Sequence, residues 1–409
     1  MKQAKRVVIN YSDTPGDSDT IDLETLKNFN VQALTLIETI TKYTASNITD
    51  FMTLLPCADL LICNLMEVEK LFQVRINTYQ DIQEATQRLL QLGAKSVLIK
   101  ASQLKNDYFC HDYWCNQEES FWIATPRLPN QSIIMTKAIF YTAVAACLVR
   151  NYSLKDAIVI AKMYVHRGLR KAYTENQTLK FFHSGWPEEQ ADLPYLCAKP
   201  LLKLPQVFKP CRVGLYPIVD SSLWVEKLLT QGVKCIQLRI KDTNALLLEK
   251  EIKRSVFLAK KYQAKLFVND YWQLAIRFNA TGVHLGQEDL HDADIDAIYH
   301  AGLYLGVSTH CYYEVARAHV YNPSYIACGP IYFTSSKEMS FQPQGIEQLK
   351  CWRRTLSYPL VAIGGINLDR LPDIIKSKVD GVSVISVITQ ASDPGAIIEE
   401  FLLQINRPR

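Results

Sequence analysis

The residues best suited to chemistry stand in the C-terminal half of the chain, at the ends of short apolar runs. Gln237, Arg239 and Lys241 alternate at the end of one run, and in an extended strand this spacing puts all three on one face. Asp270 follows the next run and Asp289 the one after. Carboxylates at neighbouring strand ends suit Mg²⁺, which takes one or two of them beside water and phosphate oxygens. Together the cations and carboxylates predict a metal-assisted pyrophosphate site.

Each of these residues also has a structural interpretation. A lone Arg or Lys at a strand end usually extends its charged head into solvent, and an isolated Asp after a glycine turn usually caps the next helix. His310, in the Ser308-Thr309-His310 exit of a later run, ranks below the carboxylates because a single histidine is more often structural. The functional interpretation rests on the fact that several strand ends in succession carry side chains suited to the same chemistry.

A second set of strand exits predicts a monophosphate site. One loop combines hydroxyl side chains with a lysine, although such loops are also ordinary turns. Two later exits offer glycine or the start of a short helix, where backbone N–H groups can approach an anion. The residues of this set are Thr334, Ser335, Ser336, Lys337, Gly364, Gly365, Ile385 and Ser386. Two anion sites would suit an enzyme that joins a pyrophosphate ester to a phosphorylated partner.

The elements that must position these residues form a regular series from Val213 onward. Eight short β-branched runs alternate with helical patterns such as LEKEIKRSVFLAKKY and PGAIIEEFLLQI. Apolar strands that alternate with helices predict a parallel sheet covered by helices. Eight such units favour a closed (β/α)8 barrel, whose active site lies at the carboxyl ends of its strands. A doubly wound open sheet is the alternative, but no GxGxxG follows the first strand.

The N-terminal half is also α/β but less regular. VVIN, VQALTLI, ADLLICN, SVLIK and SFWIA are strand candidates, and helices are expected over TYQDIQEATQRLLQL and across 139–173. Five strands favour an open three-layer sheet. A proline-rich stretch without a sustained period separates the halves. The predicted domains are therefore 1–185 and 213–409, with 186–212 as the connector.

Composition limits the classes of partner and compartment. The net charge of the 409 residues is only +4, which argues against a nucleic-acid binder with a concentrated basic face. Eleven cysteines without a CxxC pair favour a reduced cytoplasmic setting over a disulfide scaffold. The Cys110-His111-Cys115 group matches no closed zinc site. No signal peptide is expected, nor a membrane helix, since the longest apolar stretch (138–149) is well below about 20 residues.

The C-terminal half resembles the thiamine phosphate synthases. The matching segments, in family order, are LYPIVD (215–220), QLRIK (237–241), FVNDYW (267–272), GVHLGQEDL (282–290), GVSTH (306–310), GPIYFTSSK (329–337), AIGGI (362–366) and GVSVIS (381–386). The resemblance implies a Mg²⁺-dependent transferase that joins hydroxymethylpyrimidine diphosphate to hydroxyethylthiazole phosphate and releases pyrophosphate. It also implies a dissociative reaction without a covalent nucleophile on the protein.

The resemblance implies roles for the matching residues. Asp270 and Asp289 would bind Mg²⁺, and the catalytic residues would be Arg239, Lys241, Ser308 and Lys337. The pyrimidine diphosphate would be held by Gln237, Arg239, Lys241, Asn269, Ser308 and Lys337. The thiazole phosphate would be held by Thr334, Ser335, Ser336, Gly365, Ile385 and Ser386. The implied partners are these small molecules, and a homo-oligomer is left open.

The N-terminal half resembles the hydroxymethylpyrimidine phosphate kinases of the ribokinase type, with departures. SDTPG (12–16), DLETL (22–26), ADLLICNLMEVEKL (58–71), LGAKSVLIK (92–100) and 142–165 match in order. The family's glycine-rich GTGC anion-hole loop falls on Met135-Thr136-Lys137-Ala138, and its early GG falls on Gly16-Asp17. Several dozen family residues between 47 and 58 are missing. We therefore expect a degenerate kinase-like domain without phosphorylating activity.

Three alternatives remain at this stage. A bifunctional enzyme would retain kinase activity in the N-terminal half. A thiazole tautomerase shares the barrel but would not need the pyrophosphate residues. These residues are all present: Arg239, Lys241, Asp270, Asp289 and Lys337. A sensing or scaffolding protein built from two inactive enzymes is disfavoured by the complete barrel set.

Overall fold

A computed structural model describes twelve stretches of the chain and divides it into two compact units. The described residues are 6–11, 22–31, 40–45, 53, 55–57, 59–104, 106, 108–128, 136–183, 185–241, 244–334 and 342–407. The first unit is Met1–Leu204 and the second is Pro205–Arg409. The division lies inside the predicted connector, whose residues 186–204 belong to the first unit.

The first unit is built on a seven-stranded sheet with strand order β2-β1-β3-β4-β5-β6-β9. Strands β1 to β4 pair in parallel, and β5, β6 and β9 pair antiparallel. The described strands of the whole unit are β1 (Arg6–Tyr11), β2 (Ile40–Ala45), β3 (Leu60–Asn64), β4 (Ser96–Lys100), β5 (Phe109–Asn116), β6 (Ser120–Pro126), β7 (Tyr173–Glu175), β8 (Thr178–Lys180) and β9 (Tyr195–Cys197). Strands β7 and β8 form a separate two-stranded sheet.

The described helices of this unit follow the sequence signals that begin and end helices. They are α1 (Leu23–Asn28), α2 (Leu65–Phe72), α3 (Tyr79–Gln91), α4 (Lys137–Val149) and α5 (Leu154–Arg170), with short 3₁₀ turns at Leu55–Cys57 and Gln190–Asp192. A capping box between Thr78 and Asp81 begins α3. The stretch 139–173 divides into α4 and α5 because Asn151 takes a left-handed φ of 64° and Ser153 caps α5.

The predicted strands of this sheet are confirmed at β1, β3, β4 and β6, and three others were not predicted. The VQALTLI stretch lies almost entirely outside the described residues, and the neighbouring strand is β2. Strand β5 was missed because it buries polar residues: Asp112 pairs with Lys162 at 2.7 Å, and His111 Nε2 lies 3.0 Å from the Leu201 carbonyl oxygen. The connector prediction overlooked β9, which pairs with β6.

The second unit is a closed barrel of eight parallel strands, as predicted. The strands are β10 (Gly214–Val219), β11 (Cys235–Leu238), β12 (Lys265–Asn269), β13 (Gly282–Leu285), β14 (Tyr304–Thr309), β15 (Tyr325–Cys328), β16 (Leu360–Ile363) and β17 (Gly381–Val384). The described helices are α6 (Ser222–Thr230), α7 (Ala245–Lys261), α8 (Trp272–Arg277), α9 (Asp289–Asp292), α10 (Ile295–His300), α11 (Tyr312–His319), α12 (Gly345–Thr355), α13 (Leu371–Lys376), α14 (Ser386–Thr389) and α15 (Pro394–Ile405).

The barrel interior is filled by side chains that alternate along the strands, as expected for a barrel of this size. Tyr216, Phe267, Tyr325 and Val361 form part of one buried cluster. Glycine at 306 makes room for it, because a Cβ there would lie 2.1 Å from Cζ of Tyr325. Outside the interior, none of the described helices is both long enough and apolar enough to cross a membrane.

Candidate active site

The described candidate residues lie at the carboxyl ends of the barrel strands. Closure of a parallel barrel puts all eight strand ends on one rim, so exits that are far apart in sequence become neighbours. The described members are Gln237 in β11, Arg239 and Lys241 after it, Asn269 and Asp270 at the end of β12, Asp289 in α9, Ser308 in β14, Thr334 after β15, Gly365 after β16, and Ile385 and Ser386 after β17. Ser335, Ser336 and Lys337 lie outside the described residues.

The two cations after β11 form no ion pair with any acidic residue in the described part of the chain. The Arg239 backbone N–H donates to the Val219 carbonyl at 2.7 Å, which fixes the start of the loop against β10. The Arg239 side chain is partly buried and Lys241 is exposed. Neither side chain makes a hydrogen bond or ion pair with any residue that the structure describes. Two uncompensated cations on one rim are suited to an anionic ligand.

The end of β12 has a strained backbone. Asp270 has a φ of 65°, a left-handed conformation that is uncommon for a residue other than glycine. Hydrogen bonds hold it there: Asp270 N–H donates to the His284 carbonyl at 3.0 Å, and Trp272 N–H donates to the Asp270 carbonyl at 2.7 Å. Strain of this kind is concentrated at functional sites, where the surrounding structure compensates for its cost.

Asp289 is not the N-cap of its helix, contrary to the structural interpretation, but its side chain does bond to the turn that precedes the helix. The N-cap of α9 is Glu288, and Asp289 is the first helical residue. Its Oδ2 accepts from the Gly286 N–H at 3.2 Å. A side chain at Gly286 would crowd this oxygen, because a Cβ there would lie 2.9 Å from it. The glycine turn therefore brings the carboxylate back toward the exit of β13, next to the exit of β12 that carries Asp270.

The donor set at these two exits fits Mg²⁺. Both side chains are carboxylates, the hard oxygen ligands that this ion prefers, and both are partly exposed. Two carboxylates leave the remaining octahedral positions to water and to phosphate oxygens of a substrate. In the described part of the chain, no group of three or more His, Cys, Asp or Glu residues is placed to hold a metal ion. Two carboxylates completed by water and substrate oxygens would not need a third protein ligand.

The loop after β16 packs directly on the loop after β15. Gly364 and Gly365 have φ angles of 100° and 63°. A Cβ at Gly364 would lie 2.6 Å from the Pro330 Cα, and one at Gly365 would lie 2.3 Å from the Phe333 carbonyl oxygen. Glycine is therefore required at both positions for conformation and for space. This close approach leaves backbone, not side chains, at the surface where a phosphate is predicted.

Gln344 holds the β15 loop from the other side, and sequence reasoning missed it. Its Nε2 donates to the Gly329 carbonyl at 2.8 Å, and its backbone N–H donates to the Pro330 carbonyl at 2.8 Å. Its Oε1 accepts from Trp352 Nε1 at 2.8 Å. A polar residue in a Gln-Pro-Gln-Gly stretch gives no signal for this role, because its partners are backbone atoms of a loop fifteen residues away.

Histidine residues near the rim have structural partners. His310 Nδ1 lies 2.7 Å from Glu314 Oε2, which also accepts from the His310 backbone N–H. His284, absent from the predicted set, is buried inside the barrel between Tyr325 OH and Ser308 Oγ, at 2.8 Å from each. The signal for His284 was available: a polar residue stands at an inward position of the otherwise apolar strand GVHL.

In the first unit, the position of the missing glycine-rich loop carries an ion pair. Met135 lies outside the described residues, and Thr136 is an N-cap of α4 without a side-chain capping bond. Lys137 forms an ion pair with Glu67. Glu67 is also the N3 residue of a capping box with Asn64 at the start of α2. The cation at the start of α4 is therefore compensated by a carboxylate of the chain itself.

Lys137 and Glu67 belong to a charged cluster of the first unit that also contains Lys100, Lys162 and Asp112. Lys162 pairs with Asp112 at 2.7 Å, both buried, and Asp112 also accepts from the Ala101 N–H. Lys100 Nζ lies 5.0 Å from the ring centroid of Phe140. Burial lowers the pKa of Lys100 to about 8, against a smaller opposing effect of the Asp112 charge. Most of the positive charge of this cluster is therefore neutralised from within.

Family models match each unit separately. The model described as thiamine monophosphate synthase matches residues 215–388, and the model described as phosphomethylpyrimidine kinase matches residues 43–181. The two matches confirm that the halves have different relatives.

Curated relatives and solved structures each align with part of the chain. Thiamine-phosphate synthase of Yersinia pseudotuberculosis is 52% identical over 183 residues, which are 44% of this chain and 85% of that protein. The enzyme of Klebsiella pneumoniae is 49% identical over 194 residues, which are 47% of this chain and 92% of that one. Thiamine phosphate pyrophosphorylase of Pyrococcus furiosus aligns in structure at 29% identity with a TM-score of 0.43, covering 48% of this chain and 98% of that one. Pyridoxal kinase of Staphylococcus aureus aligns at 16% identity with a TM-score of 0.36, covering 45% and 95%.

Proposed function

Because the chain belongs to the thiamine-phosphate synthase family, we propose that its barrel joins hydroxymethylpyrimidine diphosphate to hydroxyethylthiazole phosphate, giving thiamine phosphate and pyrophosphate. The observation that carries this proposal is the charge pattern of the rim. Arg239 and Lys241 lack acidic partners in the described part of the chain, while Asp270 and Asp289 stand at neighbouring exits. An enzyme that releases pyrophosphate needs both kinds of charge.

Arg239, Lys241 and Lys337 would hold the diphosphate of the pyrimidine substrate. A guanidinium and ammonium groups form charge-assisted hydrogen bonds with phosphate oxygens. These bonds strengthen as the carbon–oxygen bond to pyrophosphate breaks and negative charge accumulates on the leaving group. Gln237 and Asn269, both buried at the rim, would orient the pyrimidine end.

Asp270 and Asp289 would hold Mg²⁺ against the same diphosphate. When bound, the ion neutralises charge on the departing pyrophosphate. The left-handed backbone at Asp270 and the hydrogen bond from Gly286 N–H to Asp289 Oδ2 support this assignment, because each limits where its carboxylate can lie.

The thiazole phosphate would be held by the loops after β15, β16 and β17. The residues of this group are Thr334, Ser335, Ser336, Gly365, Ile385 and Ser386. Hydroxyls and backbone N–H groups of this kind bind a monophosphate without a metal. Anchoring the phosphate positions the thiazole nitrogen to form the new carbon–nitrogen bond as pyrophosphate leaves. Ser308 would contact the pyrimidine, and no protein side chain would form a covalent intermediate.

The first unit would lack kinase activity. A glycine-rich anion hole needs backbone N–H groups open to phosphate, whereas here a lysine and an alanine occupy the corresponding positions. The lysine is already paired with Glu67. Residual kinase activity is the second candidate, favoured by the match of residues 43–181 to the kinase model.

One pair of assays tests both units. The full chain, supplied with both substrates and Mg²⁺, is expected to form thiamine phosphate and pyrophosphate in equal amounts. The same preparation, supplied with ATP and hydroxymethylpyrimidine phosphate, is expected to form no diphosphate. Absence of thiamine phosphate would contradict the barrel assignment, and ATP-dependent phosphorylation would contradict the inactive first unit. The cytoplasmic location and the oligomeric state stay predictions.

A further inference from the structure

A continuous chain of hydrogen bonds crosses the interior of the barrel. Gln237 Nε2 lies 3.1 Å from Tyr216 OH, which lies 2.7 Å from Tyr325 OH. Tyr325 OH lies 2.8 Å from His284 Nδ1, and His284 Nε2 lies 2.8 Å from Ser308 Oγ. The chain begins and ends at residues proposed to contact the pyrimidine substrate. Its three middle members are not part of the proposed substrate or metal set.

The middle of this series of hydrogen bonds is buried and tightly packed. Tyr216, Tyr325 and His284 are exposed by only 1%, 0% and 5%. The His284 ring stacks on Tyr325 with centroids 5.7 Å apart and an interplanar angle of 23°. Burial raises the pKa of both tyrosines well above the ordinary value, so both hydroxyls stay protonated. The packing fixes which atoms meet, and the number of protons then fixes the direction of each bond.

The proton positions follow one from another. An amide Nε2 can only donate, so Tyr216 OH accepts from Gln237. Tyr216 has one proton, and the only acceptor that this series of hydrogen bonds offers it is Tyr325 OH. If no buried hydroxyl proton is left unpaired, Tyr216 donates to Tyr325, and Tyr325 donates to His284 Nδ1. A neutral imidazole that accepts at Nδ1 carries its proton on Nε2. His284 therefore donates from Nε2 to Ser308 Oγ.

The consequence appears at the two ends of the chain. Ser308 Oγ accepts a hydrogen bond from His284 Nε2, so its own proton points away from His284 and is available to a ligand. Gln237 uses one N–H of its amide for Tyr216. Its Oε1, an acceptor, makes no hydrogen bond with any residue that the structure describes. The two ends thus offer one donor and one acceptor.

We propose that His284 is a positioning residue that sets this donor–acceptor polarity and with it the choice of pyrimidine. The site would favour a ring that pairs an accepting ring nitrogen with a donating exocyclic amino group. An oxo group in place of the amino group would face the Gln237 acceptor with another acceptor. A site with a fixed hydrogen-bonding pattern rejects the mismatched analogue because buried polar groups are left unpaired. This proposal rests on the proposed function of the barrel.

The first test needs no substrate. The full chain with ¹⁵N-labelled histidine is examined by NMR at pH 7, and the His284 signals are identified by their loss in His284→Gln. The expected result is a neutral imidazole protonated at Nε2. A proton at Nδ1, or an imidazolium, would overturn the proposal, whether or not the barrel is a synthase.

The second test measures selectivity. Wild-type and Tyr325→Phe proteins are assayed for kcat/KM with hydroxymethylpyrimidine diphosphate and with its oxo analogue. Tyr325→Phe removes the proton that holds Nδ1 as an acceptor, and the preference for the amino substrate is expected to fall by about tenfold or more. Tyr312→Phe is the matched control, because it removes a buried hydroxyl that lies 3.4 Å from Cys351 Sγ. The ratio of its kcat/KM values for the amino and oxo substrates should equal the wild-type ratio.

The outcomes separate this proposal from the proposed function. If Tyr325→Phe lowers kcat/KM equally for both substrates, the hydrogen-bond chain is only structural and the proposal fails. If the wild-type protein makes no thiamine phosphate at all, the proposed function fails. The His284 tautomer measured by NMR still decides the direction of the hydrogen bonds from Gln237 to Ser308. If Tyr325→Phe does not fold, Tyr216→Phe replaces it in the same assay. It removes the hydroxyl that accepts from Gln237, so the amide is no longer fixed and the preference for the amino substrate is expected to fall.

Discussion

The rim of the barrel and the charged cluster of the first unit contain similar residues in opposite electrostatic states. On the rim, Arg239 and Lys241 have no partner among the described residues. In the first unit, Lys137 pairs with Glu67, and Lys162 pairs with Asp112. A cation without a partner retains its attraction for a ligand, whereas a paired cation stabilises the fold and attracts little. The difference suggests that charge serves binding in one unit and architecture in the other.

The largest effect is expected from removing the metal-binding carboxylates. Asp270→Ala and Asp289→Ala should each lower Mg²⁺-dependent synthase turnover by on the order of 10³-fold, because the ion would no longer offset leaving-group charge. Turnover is measured against Mg²⁺ concentration in the full chain. Asp296→Ala, which removes an exposed carboxylate in α10, is the control. Wild-type turnover in both aspartate variants would remove Asp270 and Asp289 from the metal site.

A stability effect is expected in the first unit. Lys162→Met leaves the buried Asp112 carboxylate without its ion-pair partner, which should cost about 3 kcal/mol of unfolding free energy. Hydrogen exchange of peptides from β5 and α5 measures this loss. Lys95→Met breaks an exposed pair with Asp59 and should cost less than about 1 kcal/mol.

The same experiment tests whether the cluster of the first unit is architectural. Synthase kcat should remain at the wild-type value in Lys162→Met. If protection of β5 is unchanged while turnover falls, this cluster does not have the architectural role that the comparison assigns to it.

Removing a rim cation should affect activity and not stability. Arg239→Ala is expected to lower kcat/KM for the pyrimidine diphosphate by about 100-fold, since one charge-assisted contact to the leaving group is lost. Its unfolding free energy should not change, because the side chain has no partner to lose in the described part of the chain. Arg254→Ala, which breaks an exposed pair with Glu226, is the control and should leave kcat/KM unchanged. A loss of stability in Arg239→Ala with unaltered kinetics would show that this rim cation serves the fold and not ligand binding.

The smallest expected effect is a dependence of barrel stability on pH. Burial lowers the pKa of His319 from 6.5 to about 3, so the folded state keeps this ring neutral while the unfolded state binds a proton below pH 6.5. The contribution of His319 to the free energy of unfolding is therefore complete above pH 6.5 and decreases as the pH falls toward 3. At pH 5 the free energy of unfolding should be lower by about 2 kcal/mol.

The pH effect has a matched control. His319→Gln should flatten this dependence when barrel peptides are followed by hydrogen exchange at pH 7 and pH 5. His300→Gln, at an exposed histidine, should not. An equal pH dependence in His319→Gln and wild type would show that burial of this ring is not the cause.

The sequence by itself determined the barrel, because each of its strands is a short apolar run that is followed within two residues by a polar residue or a glycine. Asp270 and Asp289 could be proposed as one site from this pattern, since strand ends of a barrel share a rim. Strand β5 could not be predicted, because His111 and Asp112 look exposed in a sequence and are buried only through partners at positions 201 and 162.

Only the tertiary structure decided which charges and hydroxyls meet. Nothing in the sequence near Lys137 indicates Glu67, seventy residues away, and nothing near His284 indicates Tyr325 and Tyr216. The physical reason is that a hydrogen bond or ion pair depends on distances of a few ångströms. Local patterns determine the strands and helices, whereas packing of distant segments determines those distances.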